Sequence, residues 1–155
     1  MDLFKYTAHE LHEKLVNKEI TAVELTNAVY DRIAAVDEQV NAYISLSKEE
    51  ALAKAAEVDA KIAAGEAIAP LAGIPVVFKD NINIYGQVTS CASKMLQGVE
   101  TVFDAHVTEE LRKEDAVFLG KANMAEFSIG NTTDNSYNGA AHNPWNLNCT
   151  TGGCA

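Results

Sequence analysis

Three helix-start signals precede the first β-type run, and that order constrains the fold more than any other feature. Thr7 with Glu10, Thr21 with Glu24 and Ser47 with Glu50 each place a hydroxyl three residues before a carboxylate. Each pair can satisfy two orphan amides at a helix N-terminus. After the second pair, Val23, Leu25, Val29, Ile33 and Val36 recur mostly at three- or four-residue spacing, which predicts one buried helix face. The third predicts an Ala-rich helix near Lys48 to Ala64 that stops at Gly65.

The pattern changes at Ala69-Pro70. Gly73-Ile74-Pro75 leads into Val76-Val77-Phe78, β-branched and aromatic residues suited to a buried strand, with Pro75 tolerated only at its beginning. A helix around His106 to Glu114 precedes a second apolar run, Ala116-Val117-Phe118-Leu119, which Gly120 is expected to end. Strand, helix, strand after a helical start gives an α/β class: residues 1–68 mainly helical, residues 69–155 carrying the strands and loops. From Gly130 onward Asn, Thr, Ser and Gly dominate, a loop chemistry on which sites are often built. Trp145, after Pro144, is expected to pack against the sheet.

Composition excludes several functions. With 48% hydrophobic and 22% charged residues and three prolines, the chain reads as globular rather than disordered. No apolar run approaches a membrane span, and MDLFKYTAHE has neither a basic leader nor an apolar core, so a cytoplasmic protein without a membrane partner is expected. A net charge of −10 without a lysine cluster repels a phosphate backbone, so any nucleic acid would be gripped by another chain. Cys91, Cys149 and Cys154 form no CxxC pair, and His9 and His12 lack a third ligand, so no metal is expected.

The run GIPVVFKDNI ends in charge: Lys79, then Asp80 and Asn81. Lys79 reads either as a solvated strand-end lysine or as a base. Asp80 and Asn81 suit side-chain to backbone bonds that orient the following loop, which is also ordinary turn chemistry.

Four blocks, in this order, resemble the amidase signature family. They are Pro70 to Ile82 (PLAGIPVVFKDNI), Thr89 to Leu96 (TSCASKML), Gly120 to Phe127 (GKANMAEF), and Asn143 to Leu147 (NPWNL) before Gly152-Gly153. The resemblance implies an α/β protein with a mixed sheet covered by helices, of which this chain holds the amino-terminal portion. It also implies amide hydrolysis by a lysine, a bridging serine and a nucleophilic serine. Lys79 stands at the lysine's position. A free lysine, pKa about 10.4, is a cation at neutral pH, so a base needs surroundings, such as Val77 and Phe78, that disfavour charge. The lysine draws a proton through the bridge, the nucleophile attacks, and backbone amides of a glycine-rich turn hold the oxyanion.

Cys154 occupies the bridging serine's position, where a thiol is a weaker relay. The nucleophile's position falls beyond Ala155, and the resemblance covers about the first third of such proteins, so the chain alone is expected to be inactive. Met124, Phe127, Ser128 and Gly130 resemble the loop lining the amide pocket, although Met124 and Phe127 read equally well as core.

Within the family the blocks most resemble the branch that serves as the glutaminase subunit of tRNA-dependent amidotransferases. That implies glutamine as substrate, amidotransferase subunits B and C as partners, tRNA contacted through the B partner, and ATP and Mg used by that partner with no cofactor bound here. The alternatives are part of a stand-alone small-amide hydrolase and a non-catalytic remnant that only binds partner subunits.

Overall fold

A computed structural model describes residues 3–153. Its main elements are α1 (Ala8–Val16), α2 (Ala22–Val40), β1 (Tyr43–Leu46), α3 (Lys48–Ala64), β2 (Pro75–Lys79), α4 (His106–Lys113) and β3 (Val117–Ala122), with short 3-10 turns at Leu3–Lys5, Lys94–Leu96 and Glu126–Ser128. The strands form one sheet in the order β1-β3-β2. No helix among the described residues is long and apolar enough to cross a membrane.

Two of the three helix-start signals form as expected. At Thr7 the Glu10 amide donates to the hydroxyl (3.3 Å) while the Thr7 amide donates to the Glu10 carboxylate (2.8 Å); Thr21 and Glu24 do the same at 3.0 and 2.9 Å. Ser47 does not. It precedes α3 but makes no side-chain cap bond, and its φ/ψ of −112°/54° reflects a chain just leaving a strand. Its amide donates instead to the Leu119 carbonyl at 2.9 Å. α3 does stop at Gly65, left-handed at φ 78°.

The chain divides into two compact units, interleaved in sequence. The first comprises Met1–Ala34, Ser47–Val76 and Glu110–Leu119. Leu15, Leu25, Ala55 and Val58 are among its fully buried residues, and each such leucine stabilises by roughly 1.5–3 kcal/mol. Gly73 explains why three helices close together: a Cβ there would stand 3.0 Å from Ala22 Cβ, 3.2 Å from Leu15 Cδ1 and 3.3 Å from Val58 Cγ1, at φ +75°. The buried face of α2 is Ala22, Leu25, Thr26, Tyr30 and Ile33, so Val23, Val29 and Val36 sit at its margins. Tyr30 belongs to it because its hydroxyl reaches the Leu119 carbonyl at 2.9 Å. Asp59 of α3 adds a second cap to α2, accepting the Ala22 and Val23 amides at 2.7 and 3.1 Å.

The second unit comprises Ala35–Leu46, Val77–Glu109 and Gly120–Ala155. Here β1, unforeseen in the helical half, pairs antiparallel with β3 through Tyr43↔Ala122, Ser45↔Lys121 and Leu46↔Gly120, with an irregularity between Tyr43 and Ser45. Gly120 does not end its strand. β3 continues through Lys121 and Ala122 because Gly120, at φ +142°, accepts a backbone approach no other residue could: a Cβ would lie 2.1 Å from the Ser45 carbonyl oxygen. Trp145 is 95% exposed rather than packed on the sheet; its amide donates to the Asn143 side chain at 2.9 Å, a tight turn with the ring outside.

Candidate active site

Lys79, the last residue of β2, is half-buried; before it Phe78 is buried and Val77 exposed. The next residue organises what surrounds it. Asp80 is 1% exposed, with its amide on the Ala122 carbonyl (3.2 Å) and its own carbonyl accepting the Cys91 amide (3.1 Å). One carboxylate oxygen accepts the Ser90 amide, the Ser90 hydroxyl and the Ala92 amide at 3.1, 2.5 and 3.3 Å. The side-chain to backbone bonds expected of Asp80 are therefore present, but they hold a turn ten residues further on.

The other carboxylate oxygen faces Lys121 Nζ at 3.5 Å. Lys121 is fully buried. Its ammonium donates to the Ile82 carbonyl at 2.6 Å and the Thr89 hydroxyl at 2.9 Å, so three donors meet three acceptors. Burial pushes its pKa down, against the pull of the Asp80 charge. A buried ion pair persists only with such additional bonds. Burial likewise pushes the Cys91 thiol up, and the Asp80 charge adds to that.

The block from Thr89 and the block from Gly120 meet beside this pair. The Phe127 amide donates to the Cys91 carbonyl at 3.0 Å, Ser93 Oγ donates to Glu126 at 2.6 Å, and Asn81 donates to the Ser128 hydroxyl at 3.2 Å. Both ends of this junction are strained: Cys91, Ala92, Phe127 and Ser128 all have positive φ, between 51° and 61°. Left-handed backbone costs non-glycine residues about 1–2 kcal/mol each and persists where surrounding bonds over-determine it.

The remaining sequence-selected residues distribute unevenly. Met124 is fully buried, whereas Phe127 is 43% exposed. Ser128 is half-buried and Gly130 exposed at φ +141°. Cys154 lies outside the described residues. A cleft bordered by Thr132, Asp134, His142, Leu147 and Cys149 includes none of Lys79, Met124, Phe127, Ser128 and Gly130. No group of three or more His, Cys, Asp or Glu able to hold a metal occurs among the described residues. The buried Asp80–Lys121 pair is what sequence reasoning missed. Its available signal was a lysine inside an apolar strand pattern, Val117-Phe118-Leu119-Gly120-Lys121, facing an aspartate that closes the neighbouring apolar run.

A family model described as Amidase matches residues 24–155. The chain is 52% identical over 153 residues to the A subunit of glutamyl-tRNA(Gln) amidotransferase from Clostridium botulinum (strain Loch Maree / Type A3), covering 99% of this chain and 32% of that protein. It is 48% identical over 153 residues to the corresponding protein of Desulforamulus reducens, with the same coverage. Among solved structures, the peptide amidase of Stenotrophomonas maltophilia is 34% identical with a TM-score of 0.83, over 92% of this chain and 31% of that one. A bacterial aryl acylamidase of the amidase signature family is 28% identical with a TM-score of 0.88, over 96% and 31%. The chain thus spans about a third of the length of the curated relatives it matches.

Proposed function

The chain belongs to the amidase family, and from that premise we propose that it carries the general-base segment of a glutaminase that serves a tRNA-dependent amidotransferase. The observation that carries this reading is the 52% identity over 153 residues to the A subunit of a glutamyl-tRNA(Gln) amidotransferase; Lys79, which closes β2, is the residue assigned the base role in this proposal.

In the proposed reaction the Lys79 amine accepts, through a bridging side chain, the proton of an attacking hydroxyl. The hydroxyl oxygen bonds to the side-chain amide carbon of glutamine, the carbon–nitrogen bond breaks, and the proton leaves with ammonia. Water then releases glutamate from the acyl-enzyme. Residue 154 holds the bridging position with a thiol, and the attacking hydroxyl is not assigned to a residue within 1–155. Of the partner subunits B and C, the first, using ATP and Mg, would pass the ammonia to Glu-tRNA(Gln), and the second would join it to the glutaminase. The net charge of −10 agrees with tRNA being held by a partner.

The likeness to a peptide amidase and an aryl acylamidase supports a second reading, a stand-alone hydrolase of small amides. The two separate in one assay on native protein recovered from its own cells. Ammonia release from glutamine, stimulated by ATP and Glu-tRNA(Gln) and accompanied by co-purifying partner chains, supports the first. Hydrolysis of small primary amides with no response to glutamine and no partner overturns it.

A further inference from the structure

We propose that the buried Asp80–Lys121 pair is a positioning device that fixes Lys79 and the two left-handed turns beside it; this rests on the reading of Lys79 as the base. Two chains of bonds leave the pair. The Lys121 ammonium holds the Ile82 carbonyl at 2.6 Å, and the Ile82 amide donates to the Lys79 carbonyl at 2.9 Å. Lys121 therefore pins the far end of the turn that starts at the base. Asp80, covalently next to Lys79, gathers Ser90 and Ala92 with its carboxylate and Cys91 with its carbonyl, and the Cys91 carbonyl in turn takes the Phe127 amide.

Stability alone does not call for charge here, because buried ion pairs are often replaceable by apolar residues without loss. What an apolar pair could not supply is direction. The ammonium's three acceptors come from three separate residues, Asp80, Ile82 and Thr89. Asp80's Oδ2 alone accepts three donors, from Ser90 and Ala92. Lys121 and Asp80 touch no substrate in this scheme and act through Lys79 and the turns.

The test compares the full chain with Lys121→Met, Asp80→Asn and the double variant Asp80→Asn/Lys121→Met. The double variant removes both charges, so it keeps the comparison open where a single variant leaves one charge buried and fails to fold. Amide hydrogen exchange at Ile82, Ser90, Ala92 and Phe127 should accelerate by about tenfold or more in each folded variant, with α1 unchanged. Acylation of Lys79 by acetic anhydride, read by mass spectrometry against exposed Lys18, should change by about threefold or more in the double variant at fixed pH. Exchange within about twofold of wild type overturns the proposal. So does an unchanged Lys79 to Lys18 ratio with faster exchange, which makes the pair merely structural. The base reading fails separately, if Lys79→Ala leaves ammonia release from glutamine intact in the native enzyme, and the exchange result stands regardless.

Discussion

Lys121 Nζ lies 3.5 Å from Asp80 Oδ1, and their side chains are only 1% and 2% exposed. Two charges hidden this completely depend on each other. Removing one partner leaves an uncompensated charge, whereas removing both leaves no buried charge unpaired. Lys121→Met or Asp80→Asn alone should each cost about 3–5 kcal/mol in denaturant unfolding, and the double variant should cost far less than their sum. Additive losses would show that the two side chains do not act as a pair.

The Cys91 thiol should be inert near neutral pH. Burial first, then the Asp80 charge, raises its pKa, so the thiolate that alkylating reagents need is scarce. Iodoacetamide at pH 7 should modify half-buried Cys91 about tenfold more slowly than exposed Cys149. Asp80→Asn should narrow that gap by removing the negative charge that opposes ionisation. Equal rates in the wild-type chain would contradict this electrostatic picture.

Asp115 gives a pH dependence with a definite sign. Lys61 at 2.5 Å and Lys54 at 3.4 Å hold its carboxyl below the ordinary value of 3.8. A depressed carboxylate stabilises the folded state above the unfolded-state value, and that contribution vanishes as pH falls through the folded-state value. Asp115→Asn should therefore cost on the order of 0.5–1 kcal/mol at pH 7 for this partly exposed network, and nothing well below 3.8. Melting curves of both forms across acid pH check the convergence.

Gly73→Ala should destabilise the first unit by about 2–4 kcal/mol, combining overpacking with left-handed backbone. The new methyl would meet Ala22 Cβ at 3.0 Å, and φ is already +75°. Gly65→Ala provides the contrast, since it shares the positive φ but has nothing within 4 Å. A smaller loss at Gly73 than at Gly65 would argue against the close convergence of α1, α2 and α3 at that position.

What the sequence showed was local. The Thr7 and Thr21 boxes, the α3 span and its Gly65 stop depend on residues a few positions apart, and all formed. What it concealed was paired at long range. β1 is only four residues, Tyr43-Ile44-Ser45-Leu46, and becomes a strand because β3 lies beside it. That same pairing draws Ser47 out of its capping geometry and requires glycine at position 120 within a strand. Lys79 was singled out through four blocks of resemblance. Lys121 was not, because a lysine becomes a buried ion-pair partner only when an aspartate 41 positions away is folded against it.

Lys79 as the base of an amide-hydrolysing centre is tested most directly by the rate of ammonia release from glutamine. The native protein, with any chains that co-purify, is compared with a Lys79→Ala form shown to fold equally well. The rate should fall by about 10²–10⁴-fold, the usual weight of a positioned general base. A rate within about twofold of the unsubstituted protein would contradict that role and leave Lys79 an ordinary strand-end lysine.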